Sequence, residues 1–305
     1  MHYRRMPNLW AGLPYRSSDS VRIKAAVSFC RQYTFLLVLR ILRVKEMFDS
    51  YQKIFKSRAW LYHRAMERSP RARDAEFSIA LEYLQPKAGQ WLADMPAGGG
   101  YLKQYLQDDS PHCLFIETTS EFARHCPTSS GCKSLIGDFH ALPLQDAGVQ
   151  RMLSLAALHH VEDKLSFFRE CARVLDPSGR LVVADVLRDT PQAKFLNEFV
   201  HEFNSMGHEG LFWDESVQEQ LDANGFRVER AKLHNFTWNF TTQEEMVSYC
   251  RDLFGLDKAD EQTILSGIQD YLSPGESDGK HRLQWSLYYL SARPAPRLRE
   301  SAYGR

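Results

Sequence analysis

The strongest chemical signature lies in Leu92-Ala93-Asp94-Met95-Pro96-Ala97-Gly98-Gly99-Gly100-Tyr101-Leu102. An apolar run ends in Asp94, three glycines follow, and a helix-like segment opens after them. Glycines at such a point let the backbone turn sharply and let a ligand approach where a Cβ would clash. The next apolar run, Cys113-Leu114-Phe115-Ile116-Glu117, ends in a second acidic residue, 23 positions after Asp94. A carboxylate there is placed to accept hydrogen bonds from two ribose hydroxyls. Gly137-Asp138-Phe139-His140 offers Asp138 as an acceptor for an adenine amino group and Phe139 as a face for its ring. His159 and His160 end the run Ser154-Leu155-Ala156-Ala157-Leu158-His159-His160-Val161, and histidine is the natural proton acceptor near neutral pH. Taken singly, each feature has a plainer reading: a tight turn, a polar strand end, a turn-capping Asp, a packed histidine pair.

Elements must exist to bring these residues together. Residues 91–95, 113–118, 134–136, 152–158 and 181–186 read as buried strands, and 101–107, 122–126 and 164–175 as the helices between them. A β–α–β–α rhythm makes a parallel sheet covered on both faces, with ligands at the carboxyl ends of its strands. Asp94, Glu117 and the histidine pair all fall at such ends. Upstream, residues 48–84 show helical periodicity closed by Pro86. Downstream, helices are expected at 191–206, 216–223, 243–254 and 260–271, and strands at 226–233 and 283–292.

Taken in order, the motifs from Asp94 through Glu117, Asp138 and His159-His160 to Arg173-Val174-Leu175-Asp176-Pro177-Ser178-Gly179-Arg180 and Asp185 resemble a class I S-adenosylmethionine-dependent methyltransferase. They are similar to the methyltransferase type 11 group, which includes ubiquinone/menaquinone-biosynthesis enzymes. The resemblance covers roughly residues 88–187. It implies S-adenosylmethionine as cofactor, with Asp94, Ala97, Gly98 and Gly100 around its methionine part, Glu117 at the ribose, Asp138 and Phe139 at the adenine, and Leu155 and Ala156 beside the sulfonium. It also implies an α/β, Rossmann-like fold: a seven-stranded, mostly parallel sheet with an antiparallel last strand, helices on both faces, and extra N-terminal and late helical lid elements. Two departures stand out: Pro96 replaces the usual first glycine of the loop, and the usual Asp before the fourth strand is replaced around Gln150. A nicotinamide-binding loop would need glycine or alanine where Lys103 stands, and no Gly-Lys-Ser/Thr closes the loop as in a phosphate-binding P-loop.

The charge balance is zero over 305 residues, but residues 1–46 carry nine Lys or Arg against two acidic residues, leaving 29 against 36 in the remainder. Residues 1–46 are therefore set apart as a basic N-terminal extension, read as an amphipathic surface anchor at about 27–44, a targeting segment, or a stretch upstream of a true start at Met47. Residues 47–305 form the methyltransferase domain, with a helical lid at 47–86 and an insertion at 234–282. Six cysteines without a C-x-x-C pair, and no His–Cys cluster at metal spacing, point to a reducing, cytoplasmic setting and to no metal site.

The expected chemistry is methyl transfer to a small, hydrophobic or aromatic metabolite, at oxygen or carbon, with His160 or His159 as the catalytic base. Tyr51, Phe55, Trp60 and Tyr62, together with Phe212, Trp213, Phe236, Trp238 and Phe240, are expected to line its lid, while His201 and His208 are further pocket candidates. The balanced charge argues against nucleic acid as partner. Leu158-His159-His160-Val161, standing where amino-directed methyltransferases have an Asn-Pro-Pro-Tyr-type segment, disfavours that class by resemblance. The alternatives are a cofactor-binding scaffold without catalysis and a peripheral-membrane enzyme acting on a lipid quinone precursor through residues 1–46. Oligomeric state is left open.

Overall fold

The computed structural model describes residues 56–106 and 111–296. The basic extension 1–46, with its proposed anchor and alternative start, lies outside the described residues, as do Tyr51 and Phe55.

The chain opens with a helix over residues 56–68 (α1) and a second at Asp74–Leu84 (α2). Strands β1 (Trp91–Asp94), β2 (His112–Glu117), β3 (Cys132–Ile136), β4 (Val149–Leu155) and β5 (Leu175–Asp185) pair in parallel. Two long strands, β6 (Phe226–Phe240) and β8 (Lys280–Pro294), complete the sheet in the order β3-β2-β1-β4-β5-β8-β6, with β8 antiparallel to both neighbours. The three-residue β7 (Gly275–Ser277) hairpins onto the start of β8 and makes an eighth strand. Its turn, Asp278-Gly279, has positive φ at both central residues (53° and 66°), which is the requirement of a tight hairpin turn.

Helices cover both faces. α4 (Lys164–Val174) buries Phe167, Phe168, Cys171 and Val174 along one stripe, and Asp163 caps it by accepting from the Ser166 N–H. That stripe and α7 (Val217–Ala223) pack on one face of the sheet. The other face takes α1, α2, α8 (Gln243–Phe254), α9 (Glu261–Leu272) and one continuous helix built of α5 (Pro191–Lys194), a π-helical stretch Phe195–Val200 and α6 (His201–Phe203). α3 (Ser120–Ala123) is a single turn capped by Thr119, and Tyr101–Tyr105 is a 3-10 turn rather than a full helix.

One segment differs from the sequence reading. Residues 234–240, assigned to the insertion, continue β6: Phe236, Trp238 and Phe240 recur at period two and all face the core. They join the added helices to the sheet; Trp238 stacks on Trp285 of β8 at 4.4 Å. β1 is the topological switch: β2 and β3 extend to one side, β4 and β5 to the other, and the crevice between them opens where Asp94 ends.

Candidate active site

The loop after β1 holds its shape through three consecutive left-handed residues, Gly98 (φ 56°), Gly99 (93°) and Gly100 (77°), which only glycine adopts without strain. It is pinned on both sides. The Met95 N–H donates to the Leu153 carbonyl in β4 (2.9 Å) and the Ala97 N–H to Ile116 in β2 (3.1 Å). Pro96 enters through a cis peptide. Gln150, where an acidic residue was expected, accepts from the Trp91 N–H at 2.9 Å and so ties β4 to β1.

Glu117, buried at the end of β2, accepts from the Gly99 N–H at 2.8 Å through Oε1. Burial pushes its carboxyl up to about 8, although the Gly99 N–H pulls the other way. Asp94 is buried beside it. Burial first, and the Glu117 charge second, raise it well above the usual carboxylate range. Among the described residues no group hydrogen-bonds the Asp94 carboxylate. A buried carboxylate in this state is matched to an incoming cation or donor.

Asp94, Ala97, Gly98, Glu117, Leu155, Ala156 and His160 share one cavity. Ala156 adopts a positive φ of 52° where β4 turns away, and its N–H donates to Ala184 at 2.7 Å. The remaining candidates lie elsewhere. Gly100 sits behind the loop, where a Cβ would come within 2.5 Å of Pro127 Cδ. Asp138 is turned to its own loop, accepting from the His140 N–H at 2.7 Å. Phe139 is buried in the core edge-on to Phe167, with ring centroids 5.5 Å apart.

Of the side chains that roof the cavity, the sequence reading named Tyr62 for the lid but not Arg73, Phe77 or Phe122. Arg73, Tyr62, Phe77 and Phe122 close it from above. The Arg73 guanidinium, buried, donates to Tyr62 Oη at 2.8 Å and to Glu76 Oε2 at 3.0 Å. Glu76 in turn accepts from Trp238 Nε1 at 2.9 Å. Desolvation pulls the guanidinium down, but Glu76 and Tyr62 hold it well above its ordinary value, so it stays charged. Nothing in the spacing of Arg71, Arg73 and Asp74 marks Arg73 as special; only the turn between α1 and α2 aims it inward. Of the two expected leading aromatics among the described residues, Tyr62 faces the cavity, whereas Trp60 is 56% exposed with Arg64 over its ring. The enclosed volume is about 80 Å³, well below the roughly 300–1,000 Å³ of a small-molecule site. The cavity as it stands is too small for a ligand of nucleoside size.

The two candidate bases occupy different positions. His159 is buried, with Nδ1 2.6 Å from Asp185 Oδ1 and its backbone N–H donating to Asp185 Oδ2 at 2.9 Å. His160 lines the cavity, its ring tilted against that of His159 with centroids 4.1 Å apart. Desolvation, then the neighbouring His159 and His208, hold His160 well below the ordinary histidine range, leaving a neutral imidazole. His208, from the loop after α6, was a pocket candidate; it packs 5.1 Å from His160 and 5.5 Å from His159. Phe212 joins the group against His159, whereas Trp213 is buried in the core.

Residues 93–183 match the family model described as a methyltransferase domain. They form a class I S-adenosylmethionine-dependent methyltransferase domain. S-adenosylmethionine is the cofactor of that class. The "Probable tRNA methyltransferase 9B" of Bos taurus is 34% identical over 107 residues, 33% of this chain and 23% of its own length. The malonyl-[acyl-carrier protein] O-methyltransferase of Methylococcus capsulatus is 33% identical over 107 residues, 33% of this chain and 38% of its own. The match thus spans less than two fifths of either relative. A chain of the Haloferax volcanii complex between the Trm112 methyltransferase activator and a methyltransferase superposes with a TM-score of 0.55 at 16% identity, covering 80% of this chain and 97% of that one. That likeness extends the methyltransferase fold beyond residues 93–183. Among the described residues no helix is long and apolar enough to cross a membrane.

Proposed function

We propose that this chain transfers the methyl group of S-adenosylmethionine to a small metabolite with an oxygen or carbon acceptor. The observation that carries this reading is the shared cavity in which Asp94, Glu117, the glycine loop and His160 meet. The bound cofactor supplies a methyl group already activated on a sulfonium. Asp94, buried and unmatched, holds the cationic ammonium end; Arg73 faces that end as the partner for a carboxylate. Glu117 accepts from the ribose hydroxyls while bracing the loop through Gly99. Leu155 and Ala156 flank the methyl, and neutral His160 orients the acceptor at the rim. α1, closing through Tyr62, excludes water and aligns the reactants. The lid at 47–86 and the helices of 234–282 belong to the same proposal, as does the adenine subsite near Asp138, with Phe139 acting from beneath by packing.

A tRNA acceptor, suggested by the name that three mammalian relatives share, is disfavoured by charge: residues 47–305 carry 29 basic against 36 acidic side chains, the wrong balance for gripping a phosphate backbone. The test is calorimetric titration of S-adenosylmethionine and S-adenosylhomocysteine, with Asp94→Asn and Glu117→Gln as controls, followed by transfer of labelled methyl into organic-extractable and RNA fractions. Micromolar binding lost in both variants, with label in the organic fraction, supports the reading. Label in RNA overturns the acceptor class. Binding without transfer to any fraction leaves a cofactor-binding scaffold.

A further inference from the structure

Three imidazoles from two segments far apart in sequence converge beside the cofactor cavity. His159 and His160 follow β4, and His208 arrives from the loop after α6. One ring nitrogen of each lies within 4.8 Å of the other two.

Two of the rings have their tautomers fixed. The Asp185 carboxylate only accepts, so His159 Nδ1, 2.6 Å away, carries the hydrogen. The Asn197 amide is oriented by Gly210: Nδ2 donates to the Gly210 carbonyl at 3.0 Å and Oδ1 accepts from the Gly210 N–H at 2.6 Å. Oδ1 lies 3.0 Å from His208 Nδ1, which therefore carries the hydrogen there. His159 and His208 are each left with Nε2 as a lone pair to offer. Asn197 reaches this position from the π-helical stretch Phe195–Val200, a wide turn of the kind that accompanies functional sites.

We propose that His159, His160 and His208 form a three-histidine site for a divalent transition-metal ion, with Asp185 and Asn197 as its outer support. Imidazole sets suit zinc, copper, iron and nickel, and three histidines with a fourth position left open are a catalytic rather than a structural arrangement. A carboxylate or amide holding the far nitrogen of each ligand is the usual outer support of such a site. Metal–nitrogen bonds of about 2.0–2.1 Å place tetrahedral ligand nitrogens roughly 3.3 Å apart, so the rings draw together by side-chain rotation on binding. His160 belongs to both the cluster and the cofactor cavity, so the open position adjoins the place where the methyl is expected. An oxygen acceptor fits there as the fourth ligand. That last role rests on the methyl-transfer reading; the metal site itself does not.

The experiment uses the full chain, stripped by chelator dialysis and titrated with Co²⁺ followed by its visible d–d absorption, and with Zn²⁺ by calorimetry. One equivalent taken up with tetrahedral cobalt bands is expected. His208→Ala and His160→Ala should each weaken it at least about 100-fold, and Asn197→Ala about 10- to 100-fold, the range for loss of an outer partner. Absence of saturable uptake, or uptake unchanged in all three variants, overturns the site. Far-ultraviolet circular dichroism and S-adenosylhomocysteine binding are measured on the same samples. Cofactor binding with no metal uptake removes only the metal site, and metal uptake with no cofactor binding removes only the methyl-transfer reading. Should His208→Ala fail to fold, Asn197→Ala and His160→Ala still decide the question.

Discussion

Asp185, the last residue of β5, grips His159 at two points, through Nδ1 at 2.6 Å and through the backbone N–H at 2.9 Å. The same carboxylate accepts from the Val186 N–H at 2.7 Å and is almost wholly buried. One strand end thus fixes the turn that follows its neighbour, and with it the place of His160. Hydrogen bonds to a buried charge contribute about 1.5–3 kcal/mol each. Asp185→Ala should therefore lower unfolding free energy by about 3 kcal/mol or more, read by urea denaturation. Asp185→Asn, which keeps one acceptor, should lose less. Equal losses in the two variants would show that the ring contact contributes nothing.

Burial at Glu117 sets a pH dependence. Its folded carboxyl sits at about 8, against 4.5 for an ordinary glutamate, and Asp94 is raised in the same sense. A carboxyl of this kind keeps its proton in the folded chain after the unfolded chain has lost it. The stability it contributes is full below the unfolded value and drains as pH rises toward 8. His160 and His208 act oppositely: both are depressed in the folded chain, His208 to about 3, so their contribution grows as pH rises to about 6.5 and then stops. Between pH 6.5 and 8 only the carboxyl effect remains, at about 1.4 kcal/mol per pH unit for each proton released. The ligand-free urea midpoint should fall across that window, and Glu117→Gln should flatten the fall. An unchanged slope in Glu117→Gln would place the titrating group elsewhere.

The sheet was legible because its strands are short apolar runs punctuated by Gly, Asp and Pro, and because Asp94, the glycine loop and Glu117 carry their chemistry at fixed spacing. What escaped was tertiary. Phe236, Trp238 and Phe240 look like lid aromatics in sequence, yet their period of two makes them a strand face. Asp278-Gly279 is a local hairpin signal that turns β7 onto β8 within a stretch rich in Gly, Ser and Pro. Phe139 reads as a ring for stacking but faces Phe167, because only the fold decides which side of the loop points inward. The place of Arg73 depends on the turn between α1 and α2, and the meeting of His208 with His159 on contacts between segments far apart in the chain, neither of which a local residue pattern marks.

The glycine loop separates backbone strain from steric overlap. Gly89 and Gly100 have nearly the same φ, 74° and 77°, but a Cβ on Gly89 would meet nothing within 4 Å, whereas on Gly100 it would lie 2.5 Å from Pro127 Cδ. Alanine at either position incurs about 1–2 kcal/mol for the left-handed conformation. Gly100→Ala should add about 1–3 kcal/mol for the overlap and weaken cofactor binding, which Gly89→Ala should spare. Comparable unfolding midpoints for the two variants would mean that the loop yields without cost.

α1 is held shut by a clamp remote from the cofactor. Arg64 Nε meets Asp252 Oδ2 at 2.6 Å, and Nη2 meets Oδ1, joining α1 to α8 in a bidentate pair. Arg58 adds a longer contact, 3.5 Å to Asp257. The Asp252 side chain is only 3% exposed, so Arg64→Met alone strands a buried carboxylate, and its stability loss mixes two effects. Arg64→Met with Asp252→Leu removes both charges, a change that is often near neutral overall. The single variant should lower the global urea midpoint and the double variant should largely restore it. In both, amide exchange over residues 56–68 should quicken about tenfold or more while the β4 and β5 amides keep their protection, because the clamp governs local opening rather than the core. The cavity, roofed by Tyr62 of α1, is too small for a nucleoside as it stands, so freer opening of α1 should speed cofactor association in both variants, by stopped-flow fluorescence of Tyr62 and its neighbours. Exchange over 56–68 unchanged in the double variant would show that Tyr62 and Arg73, not Arg64, hold the lid.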